Sequence, residues 1–145
     1  MTKLNIITLL QISLAPAFLL VALGGLLNLY SIRLGRIVDR SRVLQERFHD
    51  TEGEDHEHIV IELNGLQRRI KVVNNAIAYG VAGAIVVCLL ISLLFFMGLL
   101  GLEWTLMITA LFIVAMLLLS ISLIRFLQEV HIANRDIKIR DKFLR

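Results

Sequence analysis

The chain is 145 residues long, 57% hydrophobic and only 19% charged, with a net charge of +3 and a mean hydropathy of +0.78, which is more apolar than a soluble domain of this size, where apolar usage near half is typical. A single cysteine, Cys88, excludes an intrachain disulfide and every CxxC metal or redox pattern. One proline and nine glycines among abundant Leu, Ile, Ala and Val argue against a sheet-rich fold. The expected class is all-α, with the excess apolar surface facing lipid or a partner.

Residues 4–32 contain no Asp, Glu, Lys or Arg, and a bilayer core about 30 Å thick takes about 20 helical residues. A first transmembrane helix is therefore expected over 4–30. The apolar run continues past Ala15-Pro16-Ala17 to Leu29, beyond the roughly 7–15 residues of a signal-peptide core, so it reads as a permanent span. Its polar residues include Gln11, Ser13 and Asn28, and Ser13, Ala17 and Gly25, with Gly24 beside them, offer a face of small side chains. Near Pro16, Gln11 and Ser13 fit a modest kink with satisfied partners, or a polar cavity beside the carbonyl that proline frees.

The next segment is patterned rather than shapeless. Leu34, Ile37, Ser41, Leu44 and Phe48 recur at spacings of three and four, and so do Ile59, Leu63, Leu66, Ile70, Val73 and Ile77. Residues 31–48 and 59–75 are thus expected to form a cytoplasmic antiparallel helical hairpin, joined by an acidic turn over 49–58. That turn gathers His49, His56, His58 and Asp55 with further carboxylates, enough donor chemistry for Zn²⁺ or Ca²⁺. It lacks HExxH and the EF-hand spacing. A solvated acidic turn is expected, those four residues are weak metal candidates, and no cofactor is implied.

Arg33, Arg36 and Arg40 share a helical face just beyond the first span, and Arg68, Arg69 and Lys71 stand at similar depth on the returning helix. Six cations there suit anionic lipid headgroups or an acidic partner. A second span is expected over 76–100, within the uncharged stretch 72–102. Ala76, Gly80, Ala84 and Cys88 recur four apart in it, as a stripe that lets another helix approach closely. Asn28 and the pair Asn74-Asn75 are expected to hydrogen-bond between helices at the root of the hairpin.

After a short turn over 98–103, residues 104–124 are again uncharged and supply a third span, with Trp104 placed as an interfacial anchor. Residues 125–145 carry Leu127, Val130, Ile137 and Leu144 at helical spacing without Gly or Pro, so a tail helix is expected. Packing on the hairpin and lying along the lipid surface both fit its periodicity. Eight basic residues lie between 33 and 71 and six follow residue 124, against Lys3 alone on the other side. The positive-inside rule then puts the N-terminus outside and loop 31–75 with the C-terminus in the cytoplasm.

The stretch Leu23-Gly24-Gly25-Leu26-Leu27-Asn28, followed by Arg33-Leu34-Gly35-Arg36-Ile37-Val38-Asp39-Arg40, resembles the DUF2721 family of small bacterial membrane proteins. The segment from Glu62-Leu63 to Arg68-Arg69 and the Asn75-Ala76-Ile77 entry to the second span resemble it further, so the likeness covers nearly the whole chain. It implies a multi-pass protein of the bacterial plasma (inner) membrane and imports no reaction, because the family's function is unassigned.

No Asp, Glu, Lys, Arg or His lies mid-span, and no nucleophile is paired with a base. Neither an enzyme nor a nucleic-acid binder is expected. The leading expectation is a non-enzymatic membrane scaffold or accessory subunit, as a homo-oligomer or part of a larger complex. The alternatives are an oligomeric channel or small-solute transporter and a lipid- or metal-responsive regulator.

Overall fold

In the computed structural model the described residues are 6–48, 53–101 and 105–143, with side chains described for 6–48, 53, 55–101 and 105–133. They form three α-helices and, among the described residues, no strand: α1 Ile6–Phe48, α2 Glu54–Leu100 and α3 Thr105–Phe143. At 43, 47 and 39 residues, each is about 60–70 Å long at about 1.5 Å per residue, roughly twice a bilayer core. All three are long and apolar enough to cross a membrane.

The helices run unbroken through the boundaries where span and hairpin were expected to meet, because no helix breaker lies there. Pro16 is accommodated inside α1. Nearby, the Ser13 hydroxyl donates to the Leu10 carbonyl at 2.9 Å. Ser13 is buried and Gln11 exposed, so these two do not line a common cavity. Two glycines take the left-handed backbone at the helix ends, Gly53 with φ 79° before α2 and Gly101 with φ 66° after it. Only glycine adopts that conformation without a Cβ penalty. The Gly53 carbonyl accepts from the His56 amide at 3.1 Å, so α2 starts ahead of residue 59. Asp55, His56 and His58 therefore stand on helix rather than in a turn, where acidic residues suit the positive end of the dipole. His49 lies outside the described residues, as do Trp104 and the turn residues beside it.

Each helix buries residues that recur at a seven-residue step. In α1 the buried positions include Leu9, Pro16, Leu23, Tyr30, Ile37 and Leu44, each seven apart. In α2 they are Leu66, Val73, Gly80, Val87 and Leu94, interleaved with Ala76, Gly83, Leu90 and Met97. In α3, Ala115, Ser122 and Glu129 follow the same step. A repeat of 3.5 residues per turn is that of helices packed by knobs into holes.

This repeat corrects the expected stripe on α2. Residues four apart drift about 40° per step on a helix of 3.6 residues per turn, so the line from Ala76 turns out of the interface. Ala76 and Gly80 are buried, Ala84 is half-buried and Cys88 is exposed. The close approach continues instead at Gly83, where an added Cβ would meet Leu118 and Leu119 at 3.5–3.6 Å.

By contact the chain divides into two compact units, one of Met1–Asn28 with Ala78–Ile121 and one of Leu29–Ile77 with Ser122–Arg145. In the first, Leu9 packs against Gly98, with its side chain filling the space of a Cβ there. The second contains all the ion pairs found among the described residues.

Candidate functional site: an arginine–glutamate–arginine clasp

In the second unit the antiparallel run of α1 and α2 follows from register: Arg33 and Arg69 meet at one carboxylate, and Arg40 pairs with Glu62 seven residues further along each helix in opposite directions. Helix α3 runs parallel to α1, with Tyr30 on Phe126 and Arg33 on Glu129. That register brings one acidic side chain of α3 between two arginines.

Glu129 is the centre. Its side chain is 0% exposed, and its Oε2 accepts from Arg33 Nη1 at 2.8 Å. Its Oε1 accepts from Arg69 through Nη2 at 2.8 Å and Nε at 3.2 Å. Splitting the two carboxylate oxygens between α1 and α2 ties all three helices at one point. A buried carboxylate is tolerable only when so paired, because breaking a buried pair leaves an uncompensated charge. Two guanidiniums against one carboxylate leave a single positive charge in excess.

Aromatic packing holds the clasp. Tyr30 and Phe126 stack with centroids 4.3 Å apart at 28°, and the Arg33 guanidinium carbon stands 5.5 Å from the Phe126 centroid, within the range of cation–π attraction. Tyr30 is wholly buried, and its hydroxyl has no hydrogen-bond partner among the described residues. One turn before Phe126, the buried Ser122 hydroxyl donates to the Ala76 carbonyl at 2.7 Å. This polar link between α3 and α2 requires the small side chain of Ala76.

The expected basic collar therefore separates into three roles. Arg33 and Arg69 close the clasp, and Arg40 makes an exposed pair with Glu62 at 2.9 Å. Arg36, Arg68 and Lys71 are exposed and make no ion pair among the described residues. Asn28 and Asn75, expected to bond between helices, are both exposed and make no hydrogen bond among the described residues. The interhelical polar bond is made by Ser122, because the seven-residue repeat turns Ala76, not Asn75, toward α3. In the tail, Leu127 is exposed, and the buried face runs through Ser122 and Glu129. Glu129 was not singled out in the sequence. The signal that could have found it is the seven-residue step from Ala115 through Ser122.

At the start of α2, the His56 ring lies on Phe48 with centroids 4.0 Å apart. His58 and Asp55 are exposed. Among the described residues no three of His, Cys, Asp or Glu converge as a ligand set.

Three long apolar helices, fastened where their uncharged runs give way to charge, define the class: this is the make-up of a multi-pass helical membrane protein. The chain belongs to DUF2721, a family described as proteins of unknown function, and matches it over residues 13–139. No curated protein and no solved structure matches it.

Proposed function

We propose that the protein is a non-enzymatic scaffold or accessory subunit of a bacterial plasma membrane that associates with further copies of itself through α1. The observation that carries this reading is a patch of Gly24, Gly25 and Asn28 inside the uncharged run. All three are exposed, an added Cβ on either glycine meets nothing within 4 Å, and the Asn28 amide has no partner among the described residues. In hydrocarbon an unpaired amide is unfavourable by several kcal/mol on typical estimates, and small residues beside an amide are what a second helix packs and bonds against. The stripe Ala76 and Gly80 is buried within the chain, so it is not the surface for a second copy.

The polar chemistry of the second unit supports a structural role. Glu129, Arg33 and Arg69 are engaged with one another and Arg40 with Glu62, which fastens helices without leaving a nucleophile and base side by side. Orientation follows the distribution of Lys and Arg, with the N-terminus outside and the charged helix segments in the cytoplasm.

Native mass measurement in lipid nanodiscs tests the proposal. The expected result is a homo-oligomer that Gly24→Leu with Asn28→Leu converts largely to monomer. A strictly monomeric wild type that co-purifies with no other protein overturns the reading.

A further inference from the structure

We infer that the groove between α2 and α3 in the second unit is a binding site for the phosphate headgroup of an anionic phospholipid. The cavity there measures about 500 Å³, within the roughly 300–1,000 Å³ of small-ligand sites. Its polar side is Arg68 from α2 and Arg125, Gln128 and His131 from α3. Its apolar side includes Val72, Ile124 and Leu127, the last two more than half exposed.

Charge argues for an anion. Among the described residues no carboxylate lines the groove, and Glu129, the acidic residue beside Gln128, is wholly buried and turned into the clasp. Among the described residues Arg68 makes no ion pair, and Arg125 has only a long contact of 3.4 Å from Nη1 to the Gln128 side-chain oxygen. Two guanidiniums are thus left for phosphate oxygens, which their fork geometry matches.

Position argues for a lipid rather than a soluble anion. Arg68 stands four residues before Val72, where the uncharged run of α2 begins, and Arg125 directly follows Ile124, where that of α3 ends. The groove therefore straddles the level at which a membrane helix passes from acyl chains to headgroups. Ile124 and Leu127 offer the acyl chains an apolar wall next to the cations.

The inference is independent of self-association and is read separately from it. The full chain is exchanged into nanodiscs of phosphatidylcholine with a minor fraction of phosphatidylglycerol carrying a photoreactive acyl chain, and the cross-linked peptides are identified. Wild type is expected to enrich phosphatidylglycerol and cross-link within residues 124–132. Arg68→Gln with Arg125→Gln is expected to weaken that enrichment by about 30-fold, at about fivefold per cation near an anionic surface. Arg68→Lys with Arg125→Lys retains most of it, which separates lost charge from lost folding. Arg36→Gln with Arg42→Gln removes the same charge from α1 and leaves enrichment near the wild-type level. Equal losses in the two glutamine pairs, no preference over phosphatidylcholine, or displacement of the lipid by millimolar inorganic phosphate would each overturn the assignment.

Discussion

Among individual residues, Glu129 has the largest consequences, because its carboxylate is wholly buried while its two partners reach solvent, Arg33 at 39% and Arg69 at 20% exposure. Removing the carboxylate leaves two partly solvated guanidiniums without the charge that pairs them. Glu129→Gln is therefore expected to lower stability by about 2–3 kcal/mol, below the upper range for a broken buried pair because the arginines stay partly solvated. The triple variant Glu129→Leu, Arg33→Met, Arg69→Met removes all three charges together and is expected to recover most of that loss. Thermal unfolding in detergent, followed by near-ultraviolet circular dichroism, distinguishes the two. Equal destabilisation of single and triple variants would show that packing volume, not charge pairing, holds this point. Arg40→Ala provides the contrast, since its pair with Glu62 is 47% and 42% exposed and such pairs contribute about 0–1 kcal/mol.

The helices themselves were legible from composition, and the packing faces over 34–48 and 59–77 from apolar spacings of three and four. Leu34, Ile37, Ser41, Leu44 and Phe48 recur at the expected spacing, and all are buried or half-buried. Where the reading followed a different period it missed: spacing by four selected Cys88, which is exposed, over Gly83, which packs on Leu118 and Leu119. The distances at Gly83 make a graded prediction. An alanine Cβ would sit at ordinary contact, 3.5 Å from Leu119, and gain up to about 1 kcal/mol of helix propensity. Gly83→Leu has no room and is expected to lose about 1–3 kcal/mol. Thermal midpoints measured side by side should rise or stay level for alanine and fall for leucine. A fall for both would place α2 and α3 closer than this packing allows.

On the scale of the whole molecule, three apolar helices carry a surface that needs lipid. Ile6, Phe18, Val21, Leu99 and Leu106 are each exposed, and burial of such area is worth about 25 cal/mol per Å². The proposed orientation has a direct check. In a Cys88→Ser background, a cysteine replacing Arg42 is expected to react with a membrane-impermeant maleimide only after the cells are opened. Reaction on intact cells would invert the topology.

Length, charge-free runs and hydrophobic period are properties of neighbouring residues along one helix, so the sequence by itself determined the all-α class, the three apolar helices and the faces buried over 34–48 and 59–77. It also carried the family, through the segment from Leu23 to Arg40. What the tertiary structure decided is which polar groups meet. Arg33 and Arg69 lie 96 and 60 residues from Glu129, and helical period states which way a side chain faces without stating what stands opposite. The register between helices supplies that second fact. It turned three of the six collar cations into fasteners, left Arg36, Arg68 and Lys71 without an ion pair among the described residues, and placed a carboxylate at the centre of the second unit, where the local pattern alone had shown only a charged tail.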